Sequence, residues 1–313
     1  MLQRLLNIWH AIEERSREVA LPLFEGLSLY DVATFFFKGI AKGRVTNRAA
    51  SISYSFFLAL FPGIIFLFSM IAFFPIHGLE EEIFEIFRRV LPPDTYEATR
   101  STIEDILKNR RPDLLSFGFF FALIFATNGI NSLISNFNDT VHQLETRSFW
   151  RQQLVAIGLT ALLSIMFILV VTLLIFSSSV LNSLLLFLHL DVISPFIIDS
   201  TRFLILVFLV LVVIAFLYNF GPSKNREWRF ISPGAILATM LIILSSIGFS
   251  YYVSHFSQYN KLYGSIGTLI VILLWIYINA LVLIIGFELN ASIAFAKTSA
   301  KTEKPEIENH FND

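Results

Sequence analysis

The chain has 313 residues and a formal net charge of −1; 55% of the residues are apolar, 15% are charged, and there is no Cys. A charged share this far below the roughly 25% of an ordinary soluble domain leaves too little charge to coat a water-exposed surface. The near-neutral balance offers nothing global to attract nucleic acid, and the absence of Cys excludes disulfides, thiolate metal sites and Cys nucleophiles.

In chain order, Leu2 to Val19 mixes apolar residues with Arg4, Glu13, Glu14, Arg15, Arg17 and Glu18, unlike the uninterrupted apolar core of a signal peptide. Ser28 and Asp31 are placed to cap a short helix running to Ile40. Phe35, Phe36, Phe37 and Ile40 then lie along the inner membrane interface, with Lys38, Lys42, Arg44 and Arg48 toward lipid phosphates. Residues 1–49 thus read as cytoplasmic or interfacial helices.

Six apolar stretches follow, at about 50–74, 114–134, 154–178, 203–220, 233–256 and 264–289. Each approaches or exceeds the roughly 20 helical residues that cross a hydrocarbon core of about 30 Å. Continuous apolar runs indicate helices, because barrel strands alternate over about ten residues. The expected fold is therefore an all-α polytopic membrane protein, with a transmembrane domain at 50–290 and a polar cytoplasmic tail at 291–313, disordered after Lys297. The outer loop 75–113 carries two amphipathic patterns: Leu79, Ile83, Ile86, Phe87 and Val90, stopped by Pro92 and Pro93, then a second opened by Asp94 with Glu97. Lys and Arg set the orientation. With both termini cytoplasmic, fifteen of the 23 basic residues fall inside and eight outside, six of those eight in the outer loop.

Polar side chains at membrane depth are costly, so their positions are the best functional clue. On the second span and its extension, Asn128, Asn131, Ser135, Asn138 and His142 recur at helical steps, with Gly129, Ser132, Asn136 and Asp139 on the adjoining stripe. Asn128 lies roughly 21 Å below Leu114 by helix rise, and Asn279 lies roughly 22 Å below Gly264 on the sixth span. Asn279 shares a face with Gly286 and Asn290, while Ser51, Ser53, Tyr54 and Ser55 fill the first turns of the first span. These residues suggest a polar cavity open to the cytoplasm between spans one, two and six, and interhelical hydrogen bonding is the structural alternative. Pro62 is a hinge candidate, since it cannot donate to the carbonyl of Leu58. Glu288 lies about 36 Å from Gly264 by helix rise, beyond the core, and reads as an interfacial acid for Arg48, Arg147 or Arg151 rather than a deeply buried group. Ser245, Ser246 and Gly248 read as small-residue packing on the fifth span, and Tyr251, Tyr252, Tyr259 and Tyr263 as an aromatic belt.

Several segments together resemble the YihY/BrkB family of bacterial inner-membrane proteins. They are Asn47-Arg48-Ala49-Ala50-Ser51 with Leu58-Ala59-Leu60-Phe61-Pro62, and Tyr218-Asn219-Phe220-Gly221-Pro222 with Trp228 and Pro233-Gly234-Ala235. Tyr259-Asn260-Lys261-Leu262-Tyr263-Gly264, Trp275-Ile276-Tyr277 and Gly286-Phe287-Glu288-Leu289-Asn290-Ala291 complete the set, so the likeness spans about residues 30–296. The resemblance implies six spans with both ends inside. It implies no settled activity: relatives have carried a ribonuclease BN label, and others have been linked to serum resistance or envelope-lipid traffic.

Catalytic patterns are absent from the sequence. The six His residues, at 10, 77, 142, 189, 255 and 310, make no metal-ligand spacing. There is no phosphate-cradling Gly-rich loop and no GxSxG elbow. A nuclease needs clustered acids or His for metal and a basic track for phosphates, and the inner loops offer neither. The expectation is a non-enzymatic inner-membrane protein without cofactor or metal, in contact with membrane lipids and capable of forming a homo-oligomer. It is expected to move an envelope-related amphiphile or small solute; the competing expectation is a non-transporting scaffold.

Overall fold

The computed structural model describes residues 26–71, 111–139, 147–187, 195–223, 231–255 and 265–309, with isolated positions at 24, 84–85, 96–97, 100–101 and 104–105. The regular elements among them are all helices. They are α1 (Leu29–Lys42), α2 (Val45–Ile71), α3 (Pro112–Asn138), α4 (Phe149–Phe187), α5 (Pro195–Phe220), α6 (Pro233–His255) and α7 (Ser265–Asn309). Among the described residues six stretches, one in each of α2 to α7, are long and apolar enough to cross a membrane. The chain is an all-α polytopic membrane protein.

Local chemistry sets the helix starts. Pro112, Pro195 and Pro233 each open a helix, where the missing N–H costs nothing and the fixed φ suits the first turn. Ser28 caps α1 as the sequence predicts: its Oγ accepts from the Asp31 N–H at 3.1 Å and donates to Asp31 Oδ2 at 2.7 Å. Ser232 caps α6, accepting from the Ala235 N–H at 3.2 Å. Helix α2 continues past Pro62 to Ile71, so the proline sits inside the span.

The helices outrun the predicted spans. Helix α4 extends to Phe187 and α5 begins at Pro195. The largest difference is α7, which runs as helix to Asn309 where disorder was expected after Lys297. Ala291, Ser292, Ile293 and Ala296 are buried on it, so packed residues continue past Leu289, where the predicted span stops. The helices expected between Pro75 and Asp113 lie, over most of their length, outside the described residues, as do Tyr259 and Tyr263.

The chain divides into two compact units. The first comprises Met1–Arg48, Ile134–Ile243 and Leu281–Asp313, and the second Ala49–Leu133 and Leu244–Ala280. In the first unit, three buried rings from α3, α5 and α7 meet. Phe137 stacks on Phe287 at 4.4 Å, and Tyr218 meets both edge-on at 5.5 and 5.6 Å. The Tyr218 hydroxyl donates to the Leu283 carbonyl at 2.6 Å, so the one polar atom of the cluster is satisfied. Helices α6 and α7 approach through glycine: a Cβ on Gly286 would lie 2.6 Å from both the Gly234 carbonyl oxygen and the Tyr218 hydroxyl.

In the second unit, α2 and α3 pack in the same way. A Cβ on Gly118 would meet the Phe66 backbone at 3.0 Å, and one on Gly129 the Phe56 ring at 3.4 Å. Phe249 and Trp275 join α6 to α7 with ring centroids 4.7 Å apart. Gly248, expected to be a packing residue, has nothing among the described residues within 4 Å of an added Cβ. Its helical phase turns it away from the contact made by its neighbour Phe249.

These glycines predict opposite outcomes on thermal unfolding in detergent. Gly286→Val forces two backbones apart and should cost at least about 1–3 kcal/mol, read as a lowered Tm. Gly248→Ala meets nothing and should raise the Tm slightly, through a helix-propensity gain of up to about 1 kcal/mol.

Candidate functional site

The first unit gathers its polar side chains where α1, α2, α3, α5, α6 and α7 have ends or exposed backbone. Arg48, one turn into α2, is 4% exposed, and Glu288 on α7 is 0% exposed. Arg48 Nη1 donates to Glu288 Oε1 at 2.5 Å and to the Gly43 carbonyl at 3.4 Å. Its Nε donates to the Asn136 carbonyl at 2.9 Å, and Nη2 donates to the same oxygen. One guanidinium therefore ties the turn after α1 and the start of α2 to the last turn of α3 and to α7. The last four carbonyls of a helix lack helical donors, and a cation there also opposes the negative end of the helix dipole. Glu288 Oε2 has no hydrogen-bond partner among the described residues.

Asn290, half a turn further along α7, holds the start of α6. Its Oδ1 accepts from the Gly234 N–H at 2.8 Å, and its Nδ2 donates to Ser232 Oγ at 2.9 Å. One side-chain amide thus serves an orphan helix N–H and the capping hydroxyl together. Asn138, at the end of α3, accepts from the Ser223 N–H at 2.8 Å. Arg147 donates to the carbonyls of Phe220, Gly221 and Pro222 at 3.4, 3.0 and 2.5 Å, closing the end of α5 as Arg48 closes that of α3. Ser135 Oγ accepts from Gln152 Nε2 at 2.8 Å, joining α3 to α4.

Two expectations are corrected by this geometry. Glu288, expected at the interface and not deeply buried, is 0% exposed. It is wholly enclosed, because the neighbouring helix ends cover it where helix rise alone would leave it beyond the hydrocarbon core. Arg48 does not face lipid phosphates, since its donors are engaged by Glu288 and two backbone carbonyls. Of the three basic partners considered for Glu288, Arg48 is the one found; Arg147 turns to carbonyls, and Arg151 is exposed. Asp139 is also exposed. Ser232 and Gln152 lie outside the predicted set. A Ser directly before Pro233 is itself a capping signal that could have flagged Ser232.

In the second unit, Ser51 and Ser132 bring their hydroxyls within 3.5 Å, linking α2 to α3. Ser55 Oγ donates to the Ser51 carbonyl at 3.1 Å, and Asn279 Nδ2 donates to the Trp275 carbonyl of its own helix at 2.8 Å. Asn131 is half-buried, while Ser51 and Asn128 are exposed and Tyr54 is 62% exposed. The predicted candidates therefore separate by environment. Glu288, Asn290 and Asn138 are engaged within the protein, whereas Ser51, Tyr54 and Asn128 present polar atoms at its surface. An open groove of about 520 Å³ on α6 is lined by Ser246, Ile247, Ser250 and Tyr251, none of them a predicted site residue. Among the described residues no group of three or more His, Asp or Glu could hold a metal ion.

The segments around Arg48, Tyr218 to Pro222, Pro233 to Ala235 and Gly286 to Ala291 all contribute to the polar and aromatic contacts of the first unit. The family described as Virulence factor BrkB matches residues 36–310. The chain belongs to the BrkB family. Similar proteins include one named ribonuclease-like, YfkH of Bacillus subtilis (strain 168), 31% identical over 245 residues, 78% of this chain and 88% of YfkH. Another is the UPF0761 membrane protein NTHI0384 of Haemophilus influenzae (strain 86-028NP), 25% identical over 286 residues, 85% of this chain and 96% of that protein. No solved structure matches significantly. With its six candidate spans, this BrkB-family chain is a multi-pass protein of the bacterial inner membrane.

The buried pair can be tested by a double-mutant cycle. Glu288→Gln or Arg48→Met alone strands a buried charge or its carbonyl partners and should lower stability by about 3–5 kcal/mol. The double variant Arg48→Met with Glu288→Leu should recover much of that loss, measured as Tm and as folded yield in detergent. Equal, additive losses would show that the two side chains act independently.

Proposed function

We propose that this BrkB-family protein moves an envelope-related amphiphile or small solute across the inner membrane, with both termini cytoplasmic. The polar part of the substrate passes along α2 and α3, in contact with Ser51, Tyr54, Ser55, Asn128 and Asn131. The observation that carries this reading is the exposure of Asn128 within the membrane-length window Pro112–Asn138. An amide facing hydrocarbon without partners loses its hydrogen bonds with water, at a cost of roughly 2–7 kcal/mol. Its exposure at that depth favours a polar medium beside α3, either a water-filled path or a substrate headgroup. Tyr54 and the Ser51–Ser132 contact extend the polar surface onto α2. Amides and hydroxyls without a fixed charge suit a hydroxylated or zwitterionic head better than a metal ion.

The same residues would serve a homo-oligomer, with a second copy covering the stripe, and a non-transporting scaffold would need no polar path at all. Because the chain has no Cys, single-thiol variants separate these readings cleanly. Asn128→Cys and Tyr54→Cys should react with a membrane-impermeant maleimide added to the cytoplasmic side, while Leu123→Cys, on an exposed apolar position, should stay inert. An inert thiol at position 128 that crosslinks to a second copy would favour the oligomer; an inert thiol there without crosslinking would remove the basis for transport. In a reconstituted assay, Asn128→Leu should slow transport by about tenfold, equivalent to about 1.4 kcal/mol in the barrier.

A further inference from the structure

Helix α1 lies outside the transmembrane windows, yet it carries both an exposed aromatic and exposed cations. One face packs within the first unit: Val32 and Gly39 are buried, and Phe35 meets the Phe295 ring of α7 edge-on at 5.2 Å. The other face presents Asp31, Thr34, Phe37, Lys38, Ala41 and Lys42, with Asp31 at its far end tied to Ser28 and Phe37 66% exposed. Arg44 follows, exposed and in the left-handed region at φ 47°. That conformation is uncommon for a residue with a side chain, and it lets the chain pass from α1 to the spanning helix α2 across Gly43 and Arg44 alone.

We infer that the outer face of α1 is a docking surface for anionic phospholipid headgroups of the bilayer that α2 spans. Three observations converge on this occupant. The two-residue connection to α2 keeps the end of α1 at the membrane boundary. Phe37 is an apolar wedge with most of its surface uncovered, adjacent in sequence to a Lys, the pattern of an interfacial helix that sinks rings into the acyl boundary while cations meet phosphate. Lys38, Lys42 and Arg44 form a positive surface at the end of α1; the one acid of the helix, Asp31, sits two turns away in the cap with Ser28, and no Asp or Glu follows it before Ala50. Arg48, which the spacing would add to this cluster, is withdrawn into the Glu288 pair, so three cations rather than four are available.

The site rests on α1 and the two residues that join it to α2, and is independent of the transport reading. Its test uses the full-length protein in vesicles of phosphatidylcholine, with or without phosphatidylglycerol. A bimane label on Phe37→Cys, the sole thiol, should be quenched by lipids brominated on the acyl chain, and one on Val32→Cys, on the packed face, should not. Quenching at position 37 should be stronger for brominated phosphatidylglycerol than for the phosphatidylcholine counterpart. Replacing Lys38, Lys42 and Arg44 by Gln should reduce that preference by about fivefold per cation. The altered side chains are exposed, so an unchanged Tm confirms that the fold is retained. A label at position 37 that escapes quenching, whether it faces water or a protein partner, overturns the proposal. Quenching with no phosphatidylglycerol preference in the parent, or a preference untouched by the triple change, overturns the anionic part.

Discussion

A polar group buried away from water in a membrane protein must find its partners within the chain, and that holds for helix ends enclosed by other helices. The Arg48–Glu288 pair answers this constraint where it is most severe. A guanidinium has five donors in a planar fork. Here that fork is shared between a carboxylate on α7 and carbonyls at the ends of α1 and α3. The carboxylate offsets the charge, and the carbonyls gain the donors that helix geometry denies them. Neither side chain would be tolerable in this setting alone.

The same logic recurs around the pair with different chemistry. Arg147 closes the end of α5, Asn138 receives the turn beyond it, and Asn290 holds the start of α6. Apolar contacts then bring these groups to hydrogen-bonding distance. The Phe137, Tyr218 and Phe287 rings fill the space between α3, α5 and α7, and Gly234 and Gly286 allow α6 to approach α7. Close packing and polar satisfaction depend on one another here: without the glycine contact, Asn290 could not reach the Gly234 N–H.

This division bears on the proposed function. Residues whose hydrogen bonds are met by backbone, such as Asn138 and Asn290, are poor candidates for contacting a substrate, because a substrate would have to displace a structural bond. The exposed groups on α2 and α3 carry no such penalty. The residues engaged within the protein and those open at its surface are thus different members of one polar pattern, although all have the amide or hydroxyl chemistry that marked them together in the sequence.

The membrane class, the helical spans and the cap at Ser28 were legible in the sequence, because hydropathy over a span and a capping hydroxyl are local properties of consecutive residues. The polar stripe on α3 was legible for the same reason, since helical periodicity fixes which side chains share a face. Which stripe residues are engaged and which are open was not legible, because Ser223, Ser232 and Gly234 approach their partners from distant segments. Helix rise placed Glu288 beyond the hydrocarbon core but could not say that other helix ends would enclose it. The length of α7 was missed likewise: Ala291, Ile293 and Ala296 look like the start of a polar tail until tertiary packing buries them. Sequence alone determined which stretches are long and apolar enough to cross a membrane, since that depends on runs of neighbouring residues; only the tertiary structure decided what each polar group meets, since that depends on partners far apart along the chain.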